Sequence, residues 1–108
     1  MIVCVPVNGD GTIDPRWGRA DRLALAEVLA GDVVRWQEVQ VLWSELHDQG
    51  TEGSHHARVV RFLRDNDVEV VVAGHMGEAM VRTLGKMGLR VHLGATGDAR
   101  SAVQTATA

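Results

Sequence analysis

A single cysteine, Cys4, stands among 108 residues. One thiol closes no intrachain disulfide and supplies no multi-cysteine metal motif within one chain, so the chain reads as intracellular. Tyrosine is absent and phenylalanine occurs once, leaving Trp17, Trp36 and Trp43 as the main aromatic mass, for which core packing or a partner surface is the expected use. Long basic runs are missing too. Eleven Lys+Arg against fourteen Asp+Glu give a formal charge of −3, a balance that does not suggest nucleic acid as a partner. No stretch approaches the ~20 apolar residues of a membrane helix. The apolar start from Ile2 to Val7 is shorter than a signal-peptide core and has no basic lead. The expectation is a cytoplasmic protein without membrane attachment.

What remains is the balance of an ordinary globular domain, 45% hydrophobic and 23% charged. At this length a single domain over residues 1–108 is expected, since domains commonly run to roughly 100–200 residues. The most informative segment is Val68-Glu69-Val70-Val71-Val72-Ala73-Gly74-His75-Met76-Gly77-Glu78-Ala79. Its β-branched run reads as a strand covered on both faces, the Gly-x-x-Gly break as a tight turn, and the residues beyond as a helix. Such a turn presents backbone N–H groups to an anion and, through His75, an imidazole to a metal.

Around that segment the elements follow from local chemistry. Ile2–Val7 reads as a first strand with Cys4 buried inside it, and Asn8–Pro15 as an irregular loop. Arg22–Leu29 has helix-forming residues, but the Gly31-Asp32 pair predicts a hairpin into Val33–Val41, which favours two antiparallel strands. Ser44–Gly53 is polar and aperiodic, a loop. Ser54 is placed to cap a helix reaching about Asp65. A strand at Val70–Ala73 follows, then a helix over Gly77–Lys86 stopped at Gly88, a strand at Arg90–Leu93, a second glycine break at Gly94–Gly97, and a last helix from about Asp98 to Thr105. This order predicts an α/β fold with a mixed sheet flanked by helices. Ligands in such sheets favour the edge where the parallel strands end.

Taken in order, IVCVPVNGDGTID, WGRAD, GDVV, GSHHARVVRFL, VEVVVAGHMGEAM and GLRVHLGATG resemble the dinitrogenase iron–molybdenum cofactor biosynthesis family of small nitrogenase accessory proteins, from Ile2 to about Val103. The resemblance implies a ribonuclease H-like α/β fold with a five-stranded mixed sheet, three antiparallel strands then two parallel, flanked by about three helices. It also implies that Arg22–Leu29 is a strand. Members of the family, or domains similar to it, bind iron–sulfur or molybdenum-containing clusters and carry them during cofactor assembly. They are carriers rather than catalysts, and cluster donor and acceptor proteins are the implied partners. One departure stands out: Arg16-Trp17-Gly18-Arg19-Ala20 occupies the place of a family His-Phe-Gly-Arg-Ala segment, so a cation replaces an imidazole.

A metal–sulfur cluster is a soft, anionic body that needs backbone N–H donors, positive charge and a few imidazole or thiolate ligands. The candidate metal ligands are His75, His55, His56 and His47. Adjacent His55 and His56 point about 100° apart on a regular helix, and could share one metal only from a loop. Candidate contacts with the cluster are Asn8, Arg16, Arg19, Gly74, Met76, Gly77, Gly94, Thr96 and Gly97, with helix N-termini expected at Gly77 and Gly97. The alternative is a regulatory module binding a small anion or nucleotide without metal at the same edge. Two-metal hydrolysis would need converging carboxylates. Asp10, Asp14, Glu38 and Asp67 are instead expected mostly in solvated turns and on an exposed strand face.

Overall fold

A computed structural model describes residues 1–108, the side chain of Glu52 apart. Five strands, β1 (Ile2–Pro6), β2 (Arg22–Leu29), β3 (Asp32–Gln40), β4 (Val70–Val72) and β5 (Arg90–His92), form one sheet in the order β3-β2-β1-β4-β5. β3, β2 and β1 pair antiparallel, whereas β1, β4 and β5 pair parallel. This is the mixed sheet expected from the sequence. The helices are α1 (Trp43–Leu46), α2 (Glu52–Asp65), α3 (Glu78–Lys86) and α4 (Ala99–Ala106).

Side-chain alternation explains why both faces of the sheet are covered. Cys4, Leu23, Val71 and Ala73 point to one face, where Trp43, Val59, Leu63 and Leu84 from α1, α2 and α3 meet them. Val3, Val5, Ala24, Ala26, Val70 and Val72 point to the other, against Ala99 and Val103 of α4. Arg22–Leu29 becomes a strand because Leu23 and Leu25 face one layer and Ala24 and Ala26 the other. Burial on two sides overrides local helix propensity.

Several boundaries differ from the sequence reading, each for a local reason. The hairpin turns at Ala30-Gly31 rather than Gly31-Asp32, with φ of 51° and 82°, the pair of positive values that a two-residue primed turn requires. Helix α2 starts one turn earlier than Ser54. Thr51 is its N-cap, the Ser54 N–H donates to Thr51 Oγ1 at 3.0 Å, and the Thr51 N–H donates to Ser54 Oγ at 3.0 Å, a reciprocal box in which Ser54 is the third helical residue. The stretch Ser44–Gly53, read as a loop, instead holds most of α1, drawn inward because Trp43 at its start is buried, and the first residues of α2. Helix α3 ends as expected: Gly88 takes φ 83° after Met87, and the Leu89 N–H bonds back to Leu84 O.

Candidate functional site

The parallel half of the sheet delivers three loops to one edge, after β1, β4 and β5. The first two are joined by a parallel bridge between Arg16 and His75. Gly74 is where all three crowd together. Its carbonyl accepts from Gly94 N at 2.9 Å, and a Cβ there would lie 3.2 Å from Ala95 O and 3.7 Å from Pro15 Cα. Any larger residue would press on the Ala95 carbonyl and push these backbones a few tenths of an ångström apart.

Above this junction lies a cleft of about 530 Å³. Arg16, Trp17 and Arg19 come to it from the first loop, His47 from the end of α1, His55 and His56 from α2, and His75, Met76 and Gly77 from the glycine turn. All four histidines named as candidate ligands therefore share one cleft with both candidate arginines. Helix α3 opens onto it at Gly77, its N-cap, with no side-chain cap, so the partial positive charge of the helix end faces the cleft.

The four imidazoles are not equivalent. His55 is buried, only 3% exposed; its Nε2–H donates to Gly18 O at 2.8 Å and its Nδ1 accepts from Arg58 Nη1 at 2.8 Å. Both ring nitrogens are thus in use, and burial lowers the imidazole pKa, with the neighbouring positive charge of Arg58 acting in the same direction. Arg58 also donates to Leu46 O, so His55 pins the first loop, the end of α1 and α2 together. His47 meets His55 edge to face, 4.9 Å between ring centroids, and pairs with the carboxylate of Asp48 at 3.3 Å. His56 is half-buried and His75 exposed. Since His55 and His56 lie within α2, they project in different directions, as regular helical geometry demands. Among the described residues no three His, Cys, Asp or Glu side chains gather as a metal-ion site.

Other candidates lie elsewhere. Gly94 and Thr96 line a separate cavity of about 450 Å³ beside α4, with His92, Leu93 and Ser101. Gly97 is not a helix cap, contrary to the expectation. Asp98 caps α4 by accepting from the Ser101 N–H at 2.9 Å, so a carboxylate already sits where an anion would go. Those hydrogen bonds hold the Asp98 carboxyl below its ordinary pKa. Asn8 donates to Thr12 Oγ1 and Ile13 O, shaping the first loop from within. Burial pushes the Cys4 thiol pKa far up, which leaves it a core residue.

Two participants were not legible as such. Asp14 was expected in a solvated turn; it is instead buried, 3% exposed, and grips Arg16 by three hydrogen bonds. Arg58 could have been found from its position three residues after His55, the spacing that puts two side chains on one helical face. Trp17, read as core or partner surface, is buried yet lines the cleft, and its Nε1 is the one buried side-chain nitrogen or oxygen without a hydrogen-bond partner among the described residues.

Solved structures share this architecture. The crystal structure of PH0822 matches with a TM-score of 0.76 at 20% identity, covering 99% of this chain and 88% of that one. The apo form of the orange protein from Desulfovibrio gigas matches with a TM-score of 0.77 at 21% identity, over 98% and 86% of the two chains. A putative NifB protein from Thermotoga, solved by NMR, gives 0.71 at 22% identity over 98% and 86%. No curated protein matches by sequence. The family model described as dinitrogenase iron-molybdenum cofactor matches residues 1–108 throughout, and the chain belongs to that family.

Proposed function

We propose that the chain binds an anionic iron–sulfur or molybdenum-containing cluster in the cleft between Arg16 and His75 and carries it during cofactor assembly, as a carrier rather than a catalyst. The observation that supports this reading is the convergence of His47, His56, His75, Arg16, Arg19 and the uncapped start of α3 on one cleft. The donor set suits a soft anion: guanidinium and helix-end N–H groups answer its charge, while exposed His75 and half-buried His56 are free to ligate metal. With His55 engaged in structural hydrogen bonds, ligation would be sparse. Charge and hydrogen bonds would do most of the holding, which suits cargo that must be released. Donor and acceptor proteins would meet the open side of this cleft.

Anaerobic reconstitution with iron, sulfide and molybdate, followed by gel filtration, metal analysis and visible absorption, tests the reading. Co-eluting metal and sulfide with charge-transfer bands in the wild type, lost in His75→Ala, is the expected result. A colourless, metal-free wild type would overturn it.

A second reading, a module for a small anion without metal, draws support from the lack of any three-ligand cluster among the described residues. Under it anion binding survives His75→Ala and weakens in Gly77→Val, at a position where a Cβ meets no neighbouring atom within 4 Å and φ is an ordinary −63°.

A further inference from the structure

Arg16 is an exposed cation on a buried tether. Its backbone N–H donates to Asp14 Oδ1 at 2.9 Å, its Nε to the same oxygen at 3.1 Å, and its Nη2 to Oδ2 at 3.1 Å. The Arg16 side chain is 54% exposed while that of Asp14 is 3% exposed. Asp14 is itself anchored, since its N–H donates to Pro6 O at the end of β1 at 3.0 Å, beside the bridge between Val7 and Ile13. The chain of contacts therefore runs from the central strand, through a buried carboxylate, to the guanidinium of a residue that lines the cleft and also a neighbouring cavity, where Asp21 adds a second negative charge.

An ion pair of this kind contributes little to stability. Burying a carboxylate carries a desolvation cost, and a half-exposed arginine returns little of it through Coulomb attraction. What the bidentate grip supplies is orientation. It occupies one edge of the planar guanidinium, leaving Nη1 and the second N–H of Nη2 as a fixed pair of donors.

We infer that Asp14 is a positioning residue for anion capture, which holds Arg16 so that its free edge receives the charged cargo of the cleft. This rests on the carriage reading above. It also makes a prediction opposite in sign to simple electrostatics. A carboxylate beside an anion site repels the anion, so removing it should tighten binding if Asp14 were only a nearby negative charge. If Asp14 positions Arg16, removing it should weaken binding, because a free arginine must be ordered anew by each anion.

Titration of the full chain with tetrathiomolybdate, a dianionic molybdenum sulfide, followed by visible absorption, separates these cases. Circular dichroism confirms the fold of each variant. The expected result is binding about tenfold weaker in Asp14→Asn and in Arg16→Gln, with no further loss in the double variant, since both remove one oriented contact. Arg16→Lys leaves Asp14 and the charge in place but cannot form the fork, and should weaken binding to a similar degree. Binding by Asp14→Asn equal to or tighter than the wild type, or full binding by Arg16→Lys, would overturn the inference and leave the carriage reading intact. A wild type that binds no tetrathiomolybdate would overturn the inference as well, whereas the carriage reading falls only with the failed reconstitution described above.

Discussion

His55 shows how a residue type that signals chemistry can be used for architecture. Sequence alone nominates it as a ligand, as it does His75, and favours His75 only through the glycine turn that holds it. The difference is the Gly18 carbonyl on one side and Arg58 on the other, both supplied by tertiary structure. The fold requires the neutral ring, with Nδ1 as acceptor. Its pKa is depressed from the ordinary 6.5 by burial, so the folded state takes up a proton less readily than the unfolded chain. The stability it contributes is complete above about pH 6.5 and declines as pH falls below that, through its folded pKa. Urea midpoints should therefore be lower at pH 5 than at pH 7.5. His55→Gln should lower the midpoint at pH 7.5 and flatten the slope between those values. Asp14 was illegible for the related reason that an irregular loop has no periodicity from which burial can be read.

Elements with a strong period or a glycine signal were legible: the valine strand of β4, the apolar face of α3 and its stop at Gly88. Weakly patterned elements were not. Thr51 and Ser54 are both good capping residues, and only the reciprocal bonds between them decide which one begins α2. Thr51→Ala should cost about 1 kcal/mol in denaturant unfolding, the usual worth of such a cap. The hairpin offers a change in the other direction. Ala30 holds φ 51°, a left-handed conformation costly for an alanine, and is followed by Gly31. Ala30→Asn creates the Asn-Gly pair favoured in this turn, and should raise stability by about 0.5–1 kcal/mol. Deep in the helical layer, Leu63→Ala or Leu84→Ala removes a fully buried side chain and should cost about 2–5 kcal/mol.

At the scale of the molecule, the order of strands decides which of the nominated residues can act together. Sequence reasoning grouped both glycine breaks into one site because both follow parallel strands. In the folded chain Gly74–Gly77 opens toward α1 and α2, whereas Gly94 and Thr96 line a cavity beside α4. A chain of net charge −3 also brings Arg16, paired with Asp14, Arg19, paired with Asp48, and a helix N-terminus to one cleft that Glu78 lines as well. Anionic cargo should accordingly bind more weakly as salt rises from 50 to 500 mM, a trend that titrations at fixed pH would reveal. The tryptophans divide along the same lines. Trp17 lines the cleft and meets Trp43 edge to face at 5.6 Å, while Trp36 lies on edge strand β3 with the Arg100 guanidinium 4.9 Å from its ring. The protein thus carries its own optical gauge. A coloured guest entering the cleft would dim the emission of the first two indoles before that of the third, so the loaded fraction could be followed by intrinsic fluorescence, without a label.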